Sequence, residues 1–252
     1  MSTHPPVDVS TIPPIDRAEA HDLTLEEGRR FAALLAELEP ADWDRPTDCD
    51  RWTVHDVAAH VIGSAASQAS PRELVRQAVA GRRHRKAIGS PHWWDGANEV
   101  QVLDRRDATP AALRDEWSTL APAAARSRAR IPRSIGRLPL LALPEPVGRQ
   151  PLSYLMEMGF TRDAWVHRFD IALAAGRPLD LDDHDARIVA DIVAEWSATH
   201  GEPFDLVLAG AGGGRFLHGG PADPTTSSTV ELARALSGRI DVGGLLGHPL
   251  PL

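Results

Sequence analysis

The sequence predicts an α+β protein in which a helical part precedes a small mixed unit, with a boundary near residue 180. Charged and apolar residues alternate with a helical period over most of residues 18–175. Two short segments of strand character, FDLVLAG and GRFLHGG, then follow around the glycine-rich turn AGGG. Helices and strands that are segregated along a chain in this way are typical of the α+β class.

Three domains follow from this division. Residues 1–17 begin with MSTHPPVDVSTIPPID, whose Pro, Ser and Thr content predicts a disordered leader. Residues 18–180 form the predicted helical domain. Residues 181–252 form the predicted α+β domain.

Caps and breakers place the first two helices. A helix over residues 18–39 ends at Pro40, because proline cannot continue it. Thr53 is a good N-cap, and Asp56 three residues later resembles the partner of a capping box. The second helix is therefore predicted to begin near Val54.

The same signals place the later elements. Thr109 caps a helix that has Pro110 in its tolerated first position, and Gly176 ends a helix that begins near Leu152. The remaining predictions are a short helix and turn over 71–86, helices over 93–106, 183–199 and 229–237, a loop over 131–150 and an extended tail over 238–252.

Charge and composition exclude several classes of protein. A formal net charge of −8 argues against a nucleic-acid-binding protein, which would need a basic face. No apolar run approaches the ~18 residues of a membrane span, so no membrane partner is expected. Cys49 is the single cysteine, so a disulfide within the chain is impossible. Since the N-terminus also lacks a signal-peptide pattern, a cytoplasmic protein is expected.

The stretch RDAWVHRFD places Asp163, His167 and Asp170 on one face of a helix, at spacings of four and three residues. His60 borders the apolar stripe of another helix. Two imidazoles and a carboxylate that meet inside a helical bundle could bind a divalent metal. From spacing alone, however, Asp163 and His167 are more simply a helical ion pair. Asp170 could orient His167 or could be a solvated helix charge.

Two signatures resemble the mycothiol-dependent maleylpyruvate isomerase family, a branch of the DinB-like superfamily. The first is DWDRPTDCDRWTVHDVAAHVIG, and it rests on Trp43, Pro46, Thr47, Cys49, Trp52, Thr53, Val54, Asp56, Val57, Ala59 and His60. The second rests on Asp163, Trp165, His167, Asp170, Ala174 or Ala175, and Gly176. The stretch LSGR, Leu236 to Arg239, resembles the closing motif of the family, and FDLVLAGAGGGRF resembles its sterol-carrier-like sheet.

The resemblance implies a DinB-like four-helix bundle followed by a small α+β C-terminal domain. It implies one divalent metal, with zinc as the expected ion, bound by His60, Asp163 and His167. It also implies mycothiol or another low-molecular-weight thiol as a cofactor. Arg239 is the candidate to bind a substrate carboxylate, although it could equally be a surface arginine after a helix-capping glycine. The best-known isomerases have glutamate where this chain has Asp163, and aspartate is one methylene shorter.

The function expected from these residues and from the resemblance is a metal-dependent, thiol-using isomerase or transferase that acts on a small electrophilic substrate bearing a carboxylate. Two alternatives remain open: a non-catalytic or decayed metal bundle that binds a small ligand, and a metal-dependent hydrolase that uses a metal-bound water. Cys49 is not expected to be a nucleophile, because no base stands at a suggestive spacing. A monomer and a homodimer are both compatible with the sequence.

Overall fold

The structure, a computed structural model, describes residues 5–143, 145 and 147–250. The chain divides into two compact units. The helical unit comprises Arg17–Gly136 and Leu155–Pro178. The mixed unit comprises Met1–Asp16, Arg137–Tyr154 and Leu179–Leu252.

The elements of the described residues are as follows. The α-helices are α1 Arg17–Glu37, α2 Val54–Ala69, α3 Pro71–Ala87, α4 Trp93–Leu103, α5 Pro110–Ala129, α6 Arg133–Gly136, α7 Leu152–Tyr154, α8 Phe160–Ala175, α9 Asp183–His200 and α10 Thr229–Leu236. The strands are β1 Pro6–Asp8, β2 Leu141–Ala142, β3 Arg149–Gln150, β4 Phe204–Ala209, β5 Gly214–His218 and β6 Pro224–Ser228. No helix in this part of the chain is both long and apolar enough to cross a bilayer.

The helical unit is built around a four-helix bundle. Helices α1 and α2 each pack against both α5 and α8, and the hairpin of α3 and α4 packs on α2. Helix α2 is buried along most of its length, because its sequence VHDVAAHVIGSAASQA places apolar or small side chains on nearly every face. The α+β class with an N-terminal helical domain is confirmed.

The start of α2 is fixed as the sequence predicts. The Thr53 side chain accepts a hydrogen bond from the Asp56 backbone N–H, and the Asp56 carboxylate accepts one from the Thr53 backbone N–H. This capping box satisfies two backbone donors that a helix start would otherwise leave without partners. It also sets the position of His60 along α2.

The helix predicted from Leu152 is interrupted. Residues Leu155–Gly159 form a π-helical turn between α7 and α8. The buried Arg128 guanidinium donates to the carbonyls of Met156 and Glu157 in this turn, at 2.5 and 3.0 Å. Burial lowers the pKa of Arg128 to about 10, so it remains charged at neutral pH.

The mixed unit contains a four-stranded sheet in the order β1-β5-β4-β6. Strands β4 and β5 are antiparallel, as expected for a turn-linked pair, and Leu206 lies opposite Phe216. The edge strands β1 and β6 pair in parallel with β5 and β4. Strand β6 is not predicted from the sequence, because PTTSS has no apolar alternation.

The segment predicted to be a disordered leader contains a strand among its described residues. Strand β1 pairs with β5, and Val9 behind it is only 4% exposed. The neighbouring edge of the sheet supplies hydrogen bonds that the composition of the segment cannot reveal. Residues 1–4 lie outside the described residues.

Two further segments also differ from the prediction. The loop over 131–150 contains α6 and the antiparallel pair of β2 and β3. The segment Arg137–Tyr154 belongs to the mixed unit rather than to the bundle. Pro144 and Pro146 in that loop lie outside the described residues. The extended tail contains a 3-10 turn at Gly244–Gly247, and the buried Leu250 donates its N–H to the carbonyl of Leu236.

Candidate metal centre

His60, Asp163 and His167 meet between α2 and α8. The Nε2 atoms of His60 and His167 each lie 3.6 Å from the same carboxylate oxygen, Oδ1 of Asp163. The two imidazole rings are 4.8 Å apart in an edge-to-face arrangement. Both histidines are buried, whereas the Asp163 side chain is 27% exposed, so solvent reaches the group from one side.

These separations fit a divalent ion. In a tetrahedral zinc site with bonds of about 2.0–2.2 Å, two ligand atoms are roughly 3.3–3.5 Å apart. The two nitrogen-to-oxygen distances of 3.6 Å are close to that edge length. The shorter side chain of Asp163 therefore reaches both imidazoles from α8.

His167 has a fixed tautomer. Its Nδ1 lies 2.8 Å from Oδ2 of Asp170, which is fully buried as a side chain. A carboxylate only accepts hydrogen bonds, so Nδ1 carries the proton and Nε2 keeps its lone pair toward Asp163. Asp170 is thus not a solvated helix charge. It orients His167, as the partners of metal-binding histidines usually do.

His60 is oriented by an amide. Its Nδ1 lies 2.8 Å from Oε1 of Gln101, a buried residue of α4. Gln101 is not among the residues predicted for the site, and its only signal in the sequence is that it is a polar residue inside the apolar run VQVL. Both imidazoles therefore have one nitrogen occupied and present the other to the same carboxylate oxygen.

The indole of Trp52 covers the two histidines. Its ring lies 5.0 Å from the His60 ring and 6.3 Å from the His167 ring. Trp52 precedes the N-cap of α2, so the capping box that sets His60 also sets this indole. Trp52, part of the first family signature, therefore lies against the candidate centre.

Cys49 lies beside the same group. Its Sγ is 3.5 Å from Oδ2 of Asp170 and 4.0 Å from Nδ1 of His167. The base absent from its local sequence is thus supplied by the fold. Cys49, His167 and Asp170 could also hold a metal by distance. That arrangement would need the Nδ1 that already donates to Asp170, so the group at Asp163 is the better candidate.

The mixed unit holds another possible ligand group, His200, Glu202 and His248. The rings of His200 and His248 stack at 4.6 Å. Nδ1 of His200 accepts the backbone N–H of Glu202 at 3.1 Å. Neutral His200 then carries its proton on Nε2, which leaves no lone pair there for a metal.

Arg239 lies in the mixed unit and follows Gly238, whose φ of 74° ends the turn after α10. Its N–H donates to the carbonyl of Arg234, and its side chain is half-buried. Its binding of a substrate carboxylate stays a prediction.

A buried ion pair stands next to the centre. Arg168, adjacent to His167 on α8, donates to both carboxylate oxygens of Glu27 on α1, at 2.7 and 3.2 Å. Both side chains are at most 6% exposed. The pair therefore fixes α8 against α1 at the turn that carries the centre.

Burial lowers the pKa of His167 from 6.5, and the hydrogen bond to Asp170 only partly opposes this effect. The native protein then binds fewer protons than the unfolded chain below pH 6.5, so the free energy of unfolding should fall as pH decreases. We expect metal-free wild-type protein to lose more stability than His167→Gln between about pH 7.5 and about pH 5. Urea denaturation at each pH measures this difference, and equal losses would contradict the prediction.

A protein-family model matches more than half of the chain. The family model described as the mycothiol maleylpyruvate isomerase N-terminal domain matches residues 24–172, which include His60, Asp163 and His167. Among curated proteins, no match is found.

Two solved structures share the fold. A crystal structure of the mycothiol-dependent maleylpyruvate isomerase superposes with a TM-score of 0.57 and 17% identity, over 94% of each chain. A variant of the mycothiol-dependent maleylpyruvate isomerase, in which one histidine is replaced by alanine, gives a TM-score of 0.57 and 15% identity, over 92% of each chain. At 15–17% identity, these two structures show that the fold is shared.

Proposed function

Since the chain belongs to the family of the mycothiol maleylpyruvate isomerase N-terminal domain, we propose that it is a metal-dependent, thiol-using isomerase or transferase. The substrate would be a small electrophile that bears a carboxylate. The observation that carries this proposal is the convergence of His60 and His167 on one oxygen of Asp163.

His60, Asp163 and His167 would hold one divalent ion, and zinc suits two imidazoles and a carboxylate. With Asp163 ionised, the site would have a net charge of about +1 and would favour an anionic ligand in its open position. A bound ion supplies the chemistry of lowering the pKa of a coordinated thiol, so that the nucleophilic thiolate is available at neutral pH.

The surrounding side chains would keep the site ready for an incoming thiol. Asp170 and Gln101 hold the two rings so that both Nε2 atoms keep their lone pairs. Trp52 covers the rings and limits the access of water. We propose that the Arg239 guanidinium binds the substrate carboxylate through two parallel hydrogen bonds.

The test is to incubate the zinc-loaded protein with mycothiol and maleylpyruvate. Isomerisation of the cis double bond of maleylpyruvate is the measured reaction. Turnover that requires both zinc and thiol would support an isomerase, and thiol that remains attached to the product would support a transferase. Hydrolysis of ester or amide substrates without thiol would favour a hydrolase. Retained zinc with no turnover of any of these substrates would favour a ligand-binding protein.

Arg239→Gln is expected to raise KM for a carboxylate substrate about tenfold or more, since a charge-assisted hydrogen bond is worth roughly 1.5–3 kcal/mol. Zinc content should not change. Arg234→Gln is the matched control, because Arg234 is a half-buried arginine near the end of α10 in the same unit. An unchanged KM in Arg239→Gln would remove Arg239 from the proposal.

A further inference from the structure

We infer that Gln101, Gln77 and Glu73 form a directional hydrogen-bond chain that fixes which ring nitrogen of His60 faces Asp163. The effect of this hydrogen-bond chain on metal affinity rests on the proposed metal site. The tautomer of His60 is a property of the metal-free protein and can be measured separately.

The chain runs from α2 through α4 to α3. Nδ1 of His60 lies 2.8 Å from Oε1 of Gln101, and Nε2 of Gln101 lies 2.7 Å from Oε1 of Gln77. Nε2 of Gln77 lies 2.9 Å from both the Gly63 carbonyl and Oε1 of Glu73. His60, Gln101 and Gln77 are at most 5% exposed, so water does not compete with the first two bonds of the chain.

The acceptors at the far end set the direction of the chain. A backbone carbonyl and a carboxylate cannot donate, so the NH₂ group of Gln77 must face Gly63 and Glu73. The oxygen of Gln77 then faces the NH₂ group of Gln101, and the oxygen of Gln101 faces His60. His60 must therefore donate from Nδ1, which leaves the lone pair on Nε2.

Glu73 is a reliable acceptor. A hydrogen bond from Arg76 is the largest of the effects that lower the pKa of Glu73 to about 2. Arg76 also contacts Asp104, which follows α4. The carboxylate therefore stays ionised through the neutral range, and the direction of the chain does not reverse there.

Gly63 creates the space for the chain. A Cβ at this position would lie 2.5 Å from Cβ of Gln101 and 2.7 Å from its Cγ. Only a residue without a side chain lets α4 approach α2 closely enough for Gln101 to reach His60, one turn earlier on α2. The same residue supplies the carbonyl that Gln77 contacts.

The two histidines are thus oriented by different chemistry. His167 donates to the carboxylate of Asp170, whereas His60 donates to a neutral amide. The amide fixes the ring without placing another negative charge beside the centre. Gln101 and Gln77 are positioning residues, because they act through His60.

The test is the tautomer of His60 in metal-free protein, read from the imidazole nitrogen chemical shifts in ¹⁵N NMR. The His60 signals are identified by their loss in His60→Asn. We expect the Nδ1–H tautomer in the wild type and a mixture of tautomers in Gln101→Leu. Gln77→Leu should give a smaller change, and Gln68→Leu, on the same helix as His60 but bonded to Ser64, should give none.

Zinc affinity by chelator competition should fall about 10–100-fold in Gln101→Leu, as is usual for partners of metal-bound histidines. Gln101→Glu should keep the Nδ1–H tautomer, since one carboxylate oxygen accepts the same hydrogen bond, although a carboxylate cannot donate to Oε1 of Gln77 and that bond of the chain is lost. A general loss of structure would not be reversed by this change.

A wild-type His60 that carries its proton on Nε2, or an unchanged tautomer in Gln101→Leu, would overturn the inference. If the wild-type protein binds no zinc but shows the expected tautomers, the proposed function fails while the directional chain stands.

Discussion

His60→Ala and Asp163→Ala are each expected to abolish stoichiometric metal binding. The candidate centre has three protein ligands, and the two histidine nitrogens meet at the single oxygen of Asp163. Structural zinc sites with four protein ligands bind the ion with a free energy of about 10–16 kcal/mol, so each ligand contributes roughly 3 kcal/mol. The loss of one ligand should therefore weaken metal affinity by a factor of about a hundred or more. Two remaining ligands would not retain the ion through purification.

Elemental mass spectrometry of the purified proteins measures this effect directly. His55→Ala is the matched control, because His55 lies on the same helix but bonds through Nε2 to the Ala108 carbonyl. It should retain the wild-type metal content. Metal retained by both ligand variants, or no metal in wild-type protein after reloading with zinc, would refute the centre.

The second large effect is expected from the buried ion pair. Glu27→Leu removes the carboxylate that binds Arg168 through two hydrogen bonds and leaves a buried guanidinium without it. We expect a loss of about 3–5 kcal/mol in the free energy of unfolding, because the desolvation cost of the guanidinium is no longer offset. Urea denaturation measures the loss.

Two further variants separate charge from packing. The double variant Glu27→Leu with Arg168→Met should recover most of the lost stability, since it removes the second charge as well. Glu26→Gln removes the charge that pairs with the exposed Arg29 and the partly buried Arg30, and because the Glu26 side chain is itself 32% exposed it should cost about 1 kcal/mol or less. A loss in Glu27→Leu no larger than in Glu26→Gln would show that the buried pair contributes little.

The sequence by itself determined the elements whose signals are local. The Thr53 and Asp56 capping box and the glycine stop at Gly176 depend on residues within one helical turn, and they lie where the pattern predicts. The shared face of Asp163 and His167 is likewise a consequence of helical periodicity. These features are readable because a helix closes its hydrogen bonds between near neighbours.

Strand β6 was decided by tertiary structure. Its five residues have no apolar alternation and adopt a strand because β4 offers a free edge. The same holds for β1 at the other edge, on β5. In a sheet the hydrogen bonds go to distant residues, so the partner determines the conformation and the strand's own sequence contains little of the signal.

The surroundings of the candidate centre were also decided by tertiary structure. Spacing alone cannot place Gln101 on Nδ1 of His60, since 41 residues separate them. It cannot place Cys49 beside Asp170, 121 residues later. Sequence periodicity determines which way a side chain faces on its own helix, whereas the packing of helices determines what it meets. The chemistry of this centre depends on that second step.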